Sequence, residues 1–156
     1  MMRSLRSAAS LVMGLALAVV LAPSSQANPA TGANVLALPT CESFTTYYRT
    51  IPAPGVGAIQ IHANVPTTGY QNGAFTCRLG SDDALPGVFV LQAALAQCFA
   101  KIKVDGIYGI ETENSVRFLQ YLTGNTIDGT YGPETRGVMT WPWLFPNNQF
   151  HKCDVL

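Results

Sequence analysis

The acidic residues are the first place to look for catalytic chemistry in this sequence. Paired carboxylates can cleave glycosidic bonds, and five acidic residues are candidates for such a pair: Asp82, Asp83, Asp105, Glu111 and Glu113. Each of them also fits a turn, the first turn of a helix or a solvated face. We favour these ordinary roles, so the sequence defines no glycosidase pair.

The sequence gives even less support to metal-dependent catalysis or to a catalytic cysteine than to a glycosidase pair. Catalytic zinc sites generally use three protein ligands, whereas the two histidines, His62 and His151, stand in unrelated contexts. A cysteine nucleophile needs a free thiol and a partner histidine. Cys153 lies two residues from His151 but is expected to be oxidised. The loop at 105–109 also lacks the alternating oxygen ligands of a calcium loop. We therefore expect no metal, no cofactor and no enzymatic activity.

A repeated octapeptide is the most informative feature of the chain. Residues 105–112 read DGIYGIET and residues 128–135 read DGTYGPET, so six of eight positions are identical at an offset of 23 residues. A repeat of this kind implies one supersecondary element used twice. Asp-Gly is a turn pair, and Gly132 followed by Pro133 suits the start of a helix. The repeat therefore predicts two tight turns, each leading into a helix.

The first 27 residues have the features of a secretory signal peptide. Arg3 and Arg6 precede an apolar run at 8–22, and small residues lead to a cleavage position after Ala27. The run is short for a membrane span, so we expect secretion without a stable membrane span; an uncleaved anchor is the alternative. Losing the two arginines would leave seven basic against nine acidic residues, a formal charge of −2. Without a basic patch, we expect no nucleic-acid partner.

Four cysteines outside the signal peptide predict two disulfide bonds. Cys41, Cys77, Cys98 and Cys153 permit three pairings. We favour Cys41–Cys77 with Cys98–Cys153, because each bridge then stays within one half of the molecule. In the chain-entropy model, bridges that close loops of 36 and 55 residues each contribute roughly 4 kcal/mol.

Residue patterning divides the rest of the chain into a β-rich part and a helical part. β-Branched and aromatic residues at 45–51, apolar alternation at 59–65 and a further stretch at 74–78 predict a small sheet of two or three strands. Helical spacing of apolar residues begins near Leu85, with further helices predicted at about 110–122 and 133–140. A break is expected at each proline-containing segment that follows a strand.

These patterns give a predicted organisation and fold class. The segments in chain order are a signal peptide at 1–27, a flexible lead-in at 28–40, a small β segment at 41–83, a three-helix domain at 84–146, and a C-terminal tail at 147–156 tied by disulfide. The expected fold class is mainly α, with a compact three-helix bundle and a small disulfide-tied N-terminal β segment. The apolar run that contains Trp141 and Trp143 is expected to close the helical part.

The doubled loop and the helices around it resemble the three-helix peptidoglycan-binding domain, an accessory module of bacterial cell-wall hydrolases. The residues that carry the resemblance are Leu91-Gln92, Val104-Asp105-Gly106, Tyr108-Gly109, Thr112, Val116, Leu119-Gln120, Ile127-Asp128-Gly129, Tyr131-Gly132-Pro133 and Thr135. The resemblance covers about 85–143 and leaves 28–83 unexplained. Ile110 stands where the family usually has proline, and Leu119 replaces an aromatic residue before Gln120.

The resemblance implies a secreted, non-catalytic bacterial protein that binds peptidoglycan or another cell-wall glycan along a groove beside the turns. It implies an extracellular or wall-associated location and no cofactor. On this basis the candidate ligand-binding residues are Asp105, Tyr108, Gln120, Asp128, Tyr131 and Trp141. The aspartates could instead only build the turns, and the aromatic side chains could fill the core.

Two other functions remain compatible with the sequence. A small cell-wall hydrolase would need its active site in residues 41–83. A secreted protein-interaction or inhibitor module would present the β segment to a partner. An exposed apolar strand face at Ile59, Ile61 and Val65 would favour this second alternative.

Overall fold

A computed structural model describes residues 37–156 of the protein. The predicted signal peptide at 1–27 lies outside the described residues, as does most of the lead-in predicted at 28–40. The elements in chain order are β1 (Ser43–Ala53), β2 (Gly57–Thr67), α1 (Pro86–Cys98), α2 (Ile110–Thr123), α3 (Pro133–Val138), β3 (Trp141–Leu144) and β4 (Phe150–Asp154).

A four-stranded antiparallel sheet stands beside the three short helices, so the mainly α fold class predicted from the sequence is wrong. Strands account for 31% and helices for 28% of the described residues. The strand order is β1-β2-β3-β4. Two of the four strands come from the apolar run, which was expected to close the helical part, and from the C-terminal tail, which was expected only to be tied by a disulfide. Trp141 and Trp143 are buried while the residues between and after them are half-buried, which is the alternation of a strand.

The β1–β2 hairpin is the longest part of this sheet. Its register runs from Ser43 opposite Thr67 to Ala53 opposite Gly57. β1 continues through Pro52, where we predicted a break. It is an edge strand, and proline is tolerated at sheet edges because fewer of the ladder hydrogen bonds are required there. The predicted small β segment therefore forms one side of a larger sheet, as the β1–β2 hairpin.

The three predicted helices are present: the first starts within two residues of its predicted start, and both ends of the other two lie within two residues of the predicted ones. α1 begins with Pro86 at the first helical position, where a missing N–H costs little. α2 ends at Gly124, which has φ 72° in the left-handed region that favours glycine. Pro133 begins α3 after Gly132. Local capping signals therefore placed these helices correctly.

Helices and sheet bury a shared hydrophobic core. α1 contacts β1, β2 and β3, and its buried Leu91 and Leu95 belong to the same cluster as Ile61 and Val65 of β2. Trp143 also belongs to it. The strand face that could have served a protein partner is therefore largely occupied by the interior of the protein itself.

Both disulfides have the favoured pairing. Cys41 is bonded to Cys77 and Cys98 to Cys153. The second bridge ties the end of α1 to β4, so the C-terminal segment is held both by sheet pairing and covalently. Among the helices formed by residues 37–156, none combines the length and apolar character needed to cross a membrane.

Candidate ligand-binding clefts

A buried glutamine holds the first repeated loop in place. Gln92, on α1, directs its Nε2 toward Asp105 Oδ1 at 3.0 Å, the Ile107 carbonyl at 2.9 Å and Thr112 Oγ1 at 2.9 Å. Its Oε1 accepts hydrogen bonds from the backbone N–H groups of Asp105 and Gly106, at 3.1 and 2.7 Å. One side chain thus makes five hydrogen-bonding contacts with the turn. We call this set of contacts the Gln92 clasp.

The second loop has the same arrangement around Gln120 of α2. Gln120 Nε2 lies 2.8 Å from Asp128 Oδ1, 3.1 Å from the Thr130 carbonyl and 3.2 Å from Thr135 Oγ1. Its Oε1 accepts the Gly129 N–H at 2.9 Å. Apart from the glutamine, each partner stands 23 residues after its counterpart in the first loop. We call this the Gln120 clasp.

The backbone of the two loops confirms that the repeat is structural. Gly106 has φ 77° and Gly129 has φ 75°, values at which a side chain would be strained. In each loop the aspartate carboxylate, of Asp105 or Asp128, also accepts the N–H two residues further on, at 3.0 and 2.8 Å. The same turn is therefore built twice and delivers the chain into α2 and α3.

The aromatic candidates lie in the core. Tyr108 and Tyr131 are each 1% exposed and Trp141 is 0% exposed. Burial raises the pKa of both phenols far above the ordinary range, so neither side chain ionises near neutral pH. The Tyr131 and Trp141 rings meet edge to face with centroids 6.4 Å apart. The structure thus places these three residues where they pack the loops onto the interior.

Asp105, Gln120 and Asp128 instead border two open clefts. The loop-1 cleft has a volume of about 170 Å³ and is lined by Gln92, Lys103, Asp105, Ile107, Gly109, Ile110, Glu111 and Thr112. The loop-2 cleft, of about 580 Å³, is lined by Ala37, Leu38, Arg78, Gln120, Thr126, Asp128, Thr130, Gly132, Pro133, Glu134 and Thr135. Every loop-1 lining residue from 103 to 112 has its counterpart, 23 positions later, in the loop-2 cleft. The two clefts are therefore equivalent sites on the repeat.

Comparison with known families agrees with this geometry. Residues 85–139 match the family model described as "Putative peptidoglycan binding domain". The matched region contains all three helices, both loops and both clasps. Neither the curated proteins nor the solved structures gave a significant match.

The loop-1 and loop-2 clefts differ in their charged groups. In the loop-1 cleft, Lys103 Nζ lies 3.2 Å from Asp105 Oδ2. The backbone N–H of Ile107, then the Gln92 amide, and then Lys103 lower the pKa of Asp105 to about 2. In the loop-2 cleft, the exposed Arg78 forms no ion pair or side-chain hydrogen bond with any residue of 37–156. The loop-2 cleft is thus larger and has an available cation.

Sequence reasoning missed two residues of these clefts, Gln92 as a site residue and Arg78. Gln92 could have been found, because it follows Leu91 as Gln120 follows Leu119, and each pair precedes one loop. Arg78 had no such signal. Its place depends on the backbone pairing between Leu79 and Tyr131, which are far apart in the chain. Within the described residues, no group of three or more His, Cys, Asp or Glu side chains is placed to hold a metal ion.

Proposed function

We propose that the protein is secreted and binds bacterial peptidoglycan without cleaving it, through the loop-1 and loop-2 clefts. The observation that carries the proposal is the pair of equivalent clefts beside the two repeated loops, which lie within residues 85–139, the region that matches the peptidoglycan-binding family. Two equivalent sites suit a polymer whose chemical unit repeats.

The loop-2 cleft is the better candidate for the main contact. Its volume of about 580 Å³ falls within the range of small-molecule sites. Arg78, whose guanidinium forms no ion pair within residues 37–156, can bind a carboxylate of the peptide stems, because planar guanidinium groups bind carboxylates well. The exposed carboxylates of Asp128 and Glu134 can accept hydrogen bonds from stem amides or ammonium groups. The cleft therefore complements a ligand that carries both charged and amide groups.

The hydrogen bonds of the two loop aspartates also argue against a catalytic role for their carboxylates. Asp105 and Asp128 each accept a backbone N–H and a glutamine amide, interactions that hold a turn closed. The alternative of a protein-interaction module gains nothing from the hairpin, because Ile61 and Val65 are fully buried.

The test is co-sedimentation with purified insoluble peptidoglycan at low and high salt. The wild-type protein is expected in the pellet. Thr126→Trp, which fills the loop-2 cleft, and Arg78→Ala, which removes its cation, should both shift protein to the supernatant. Lys101→Trp is the matched control, because exposed Lys101 lines neither cleft. Wild-type protein that stays in the supernatant at both salt concentrations would contradict the proposal.

The non-catalytic part of the proposal has its own test. Dye-labelled cell walls incubated with the protein between about pH 4 and 9 should release no soluble dye. Release above the level of a heat-inactivated sample would instead support a small wall hydrolase.

A further inference from the structure

A third cleft lies on the β1–β2 hairpin and is separate from both loop clefts. It has a volume of about 440 Å³ and shares no lining residue with the loop-1 or loop-2 cleft. We call it the hairpin cleft. The residues that the argument uses are Thr46, Tyr48, Gln60, Asn64, Tyr70 and Gln71.

The hairpin cleft occupies the sheet face opposite the core. Along β2, Ile61 and Ala63 are fully buried, whereas the intervening His62 and Asn64 line the cleft. Successive side chains of a strand point to opposite faces, so this alternation separates an interior face from an outer one. The outer face would be expected to carry scattered polar residues, but it carries a concave group of aromatic and amide side chains.

Two tyrosines expose their rings at this cleft. The Tyr48 residue is 60% exposed and Tyr70 is 65% exposed. Tyr70 packs edge to face on Phe44 with centroids 5.3 Å apart, which leaves a face of the tyrosine ring accessible. Tyr48 stands opposite His62 in the strand register, with ring centroids 6.3 Å apart. The rings are therefore supported by neighbours without being covered by them.

The polar groups around these rings are amides with unused donors. Thr46 Oγ1 donates to Asn64 Oδ1 at 2.8 Å, an arrangement that leaves the Asn64 amide nitrogen available. Gln60 and Gln71 make no side-chain hydrogen bond with any residue of 37–156. Gln71 also has φ 65°, a conformation that a non-glycine residue adopts at a cost. The cleft thus offers several amide groups whose hydrogen-bonding capacity is not used up by residues 37–156.

The absence of charge narrows the choice of ligand. The lining of the hairpin cleft contains no Asp, Glu, Lys or Arg. An ionised ligand would therefore find no carboxylate, ammonium or guanidinium group there, and His62 is the one lining side chain that can carry a positive charge. An apolar protein surface would cover the amides of Gln60, Asn64 and Gln71 without satisfying them, which is costly. The remaining complement is an uncharged ligand that has both an apolar face and many hydroxyl or amide groups.

We propose that the hairpin cleft binds an uncharged oligosaccharide. The faces of its sugar rings stack on Tyr48 and Tyr70, and its hydroxyl or acetamido groups bond to the amides of Asn64 and Gln71. Tyrosine suits this role because it combines an apolar ring with a polar end and loses little conformational entropy. This site goes beyond the proposed peptidoglycan role, because its ligand needs no peptide stem.

The experiment is a titration of the full-length protein with penta-N-acetylchitopentaose and, separately, cellopentaose, followed by NMR and calorimetry. At least one of these neutral oligosaccharides is expected to bind and to shift the amide signals of β1 and β2. Tyr48→Ala and Tyr70→Ala should each weaken that binding on the order of tenfold. Tyr48→Phe keeps the ring and should bind nearly as wild type does.

Two controls locate the effect. Tyr121→Ala removes a tyrosine of similar exposure, 69%, from α2 and should leave oligosaccharide binding unchanged. Thr126→Trp should also bind oligosaccharide normally, even where it loses peptidoglycan, so failure of the two proposals can be told apart. The inference is overturned if neither oligosaccharide binds at millimolar concentration, or if the shifted signals lie outside the hairpin. Equal affinity of Tyr48→Ala and wild type would also overturn it.

Discussion

The phenol of Tyr108 donates a 2.8 Å hydrogen bond to the carbonyl of Gly129, which fastens the first repeated loop to the second. Tyr131, its counterpart in the repeat, has no such bond: its hydroxyl oxygen is buried and without a hydrogen-bond partner among residues 37–156. The two tyrosines are equally buried yet differ in the interaction that their hydroxyl groups make. The repeat is thus alike in backbone and different in how its copies are joined.

This difference predicts that the same substitution, Tyr to Phe, lowers the stability of the protein in the first loop but not in the second. Tyr108→Phe should lower the free energy of unfolding by about 1–3 kcal/mol, because it leaves the buried Gly129 carbonyl unsatisfied. Tyr131→Phe should be neutral or slightly stabilising, since it removes a hydroxyl that has no partner. Urea unfolding followed by circular dichroism measures both. Equal losses in the two variants would contradict the proposed link between the loops.

Gln92 should contribute far more to the free energy of unfolding than an exposed glutamine on the same helix. Gln92→Leu removes the acceptor for two backbone N–H groups of the first loop, so we expect a loss of roughly 3 kcal/mol or more. Gln97→Leu is the matched control, because Gln97 is exposed on α1. It should change unfolding by less than about 0.5 kcal/mol. A comparable loss in both variants would indicate that the glutamine side chain contributes only helix propensity.

Two glycines predict opposite outcomes of a Gly→Ala change. A Cβ on Gly87 would clash with the carbonyl oxygen of Cys41, a backbone atom that cannot move aside cheaply. Gly87→Ala should therefore cost about 1–3 kcal/mol or prevent folding. A Cβ on Gly137 of α3 would meet nothing within 4 Å. Gly137→Ala should raise stability by up to about 1 kcal/mol, as measured by thermal unfolding.

Acid should loosen the first loop in a defined pH range. The pKa of Asp105 is about 2 in the folded protein, below its ordinary value of 3.8. A lowered folded pKa contributes stability above the unfolded value, and this contribution is lost as the pH falls from about 4 to about 2. Asp105→Asn should show a smaller decrease in melting temperature over that range than wild type.

The control for the acid experiment is Glu42→Gln. Glu42 is exposed and its carboxylate makes no hydrogen bond with any residue of 37–156. This variant should follow the wild-type melting curve between about pH 4 and 2. If Asp105→Asn follows it too, the carboxylate of Asp105 does not stabilise the loop through its hydrogen bonds.

Features with local causes could be predicted from the sequence. The end of α2 depends on Gly124 and the start of α3 on Pro133, and both signals lie within the segments that they delimit. The turns followed from the Asp-Gly pairs in the same way. The clasps were not predicted, since Gln120 was a candidate for ligand binding and Gln92 was named only in the family resemblance.

Features that depend on distant contacts could not be predicted. β3 has only four residues, too few to establish an alternating pattern, and it joins the sheet where Leu144 pairs with His62. Its apolar run therefore suggested the end of a helical bundle. The position of Arg78 in the loop-2 cleft likewise depends on the pairing of Leu79 with Tyr131. Sequence patterns within one segment contain no information on such partners.

The repeated turn separates the residues that shape it from those that face outward. Glutamine, aspartate and threonine recur in both copies, whereas three positions at the rim differ: Lys103, Ile107 and Ile110 in the first copy are Thr126, Thr130 and Pro133 in the second. A substitution at such a rim position alters the walls of one cleft and leaves the turn that forms the other cleft unchanged. One short chain can accordingly have two clefts with different ligand preferences, and each preference can be changed by substitution without altering the other cleft.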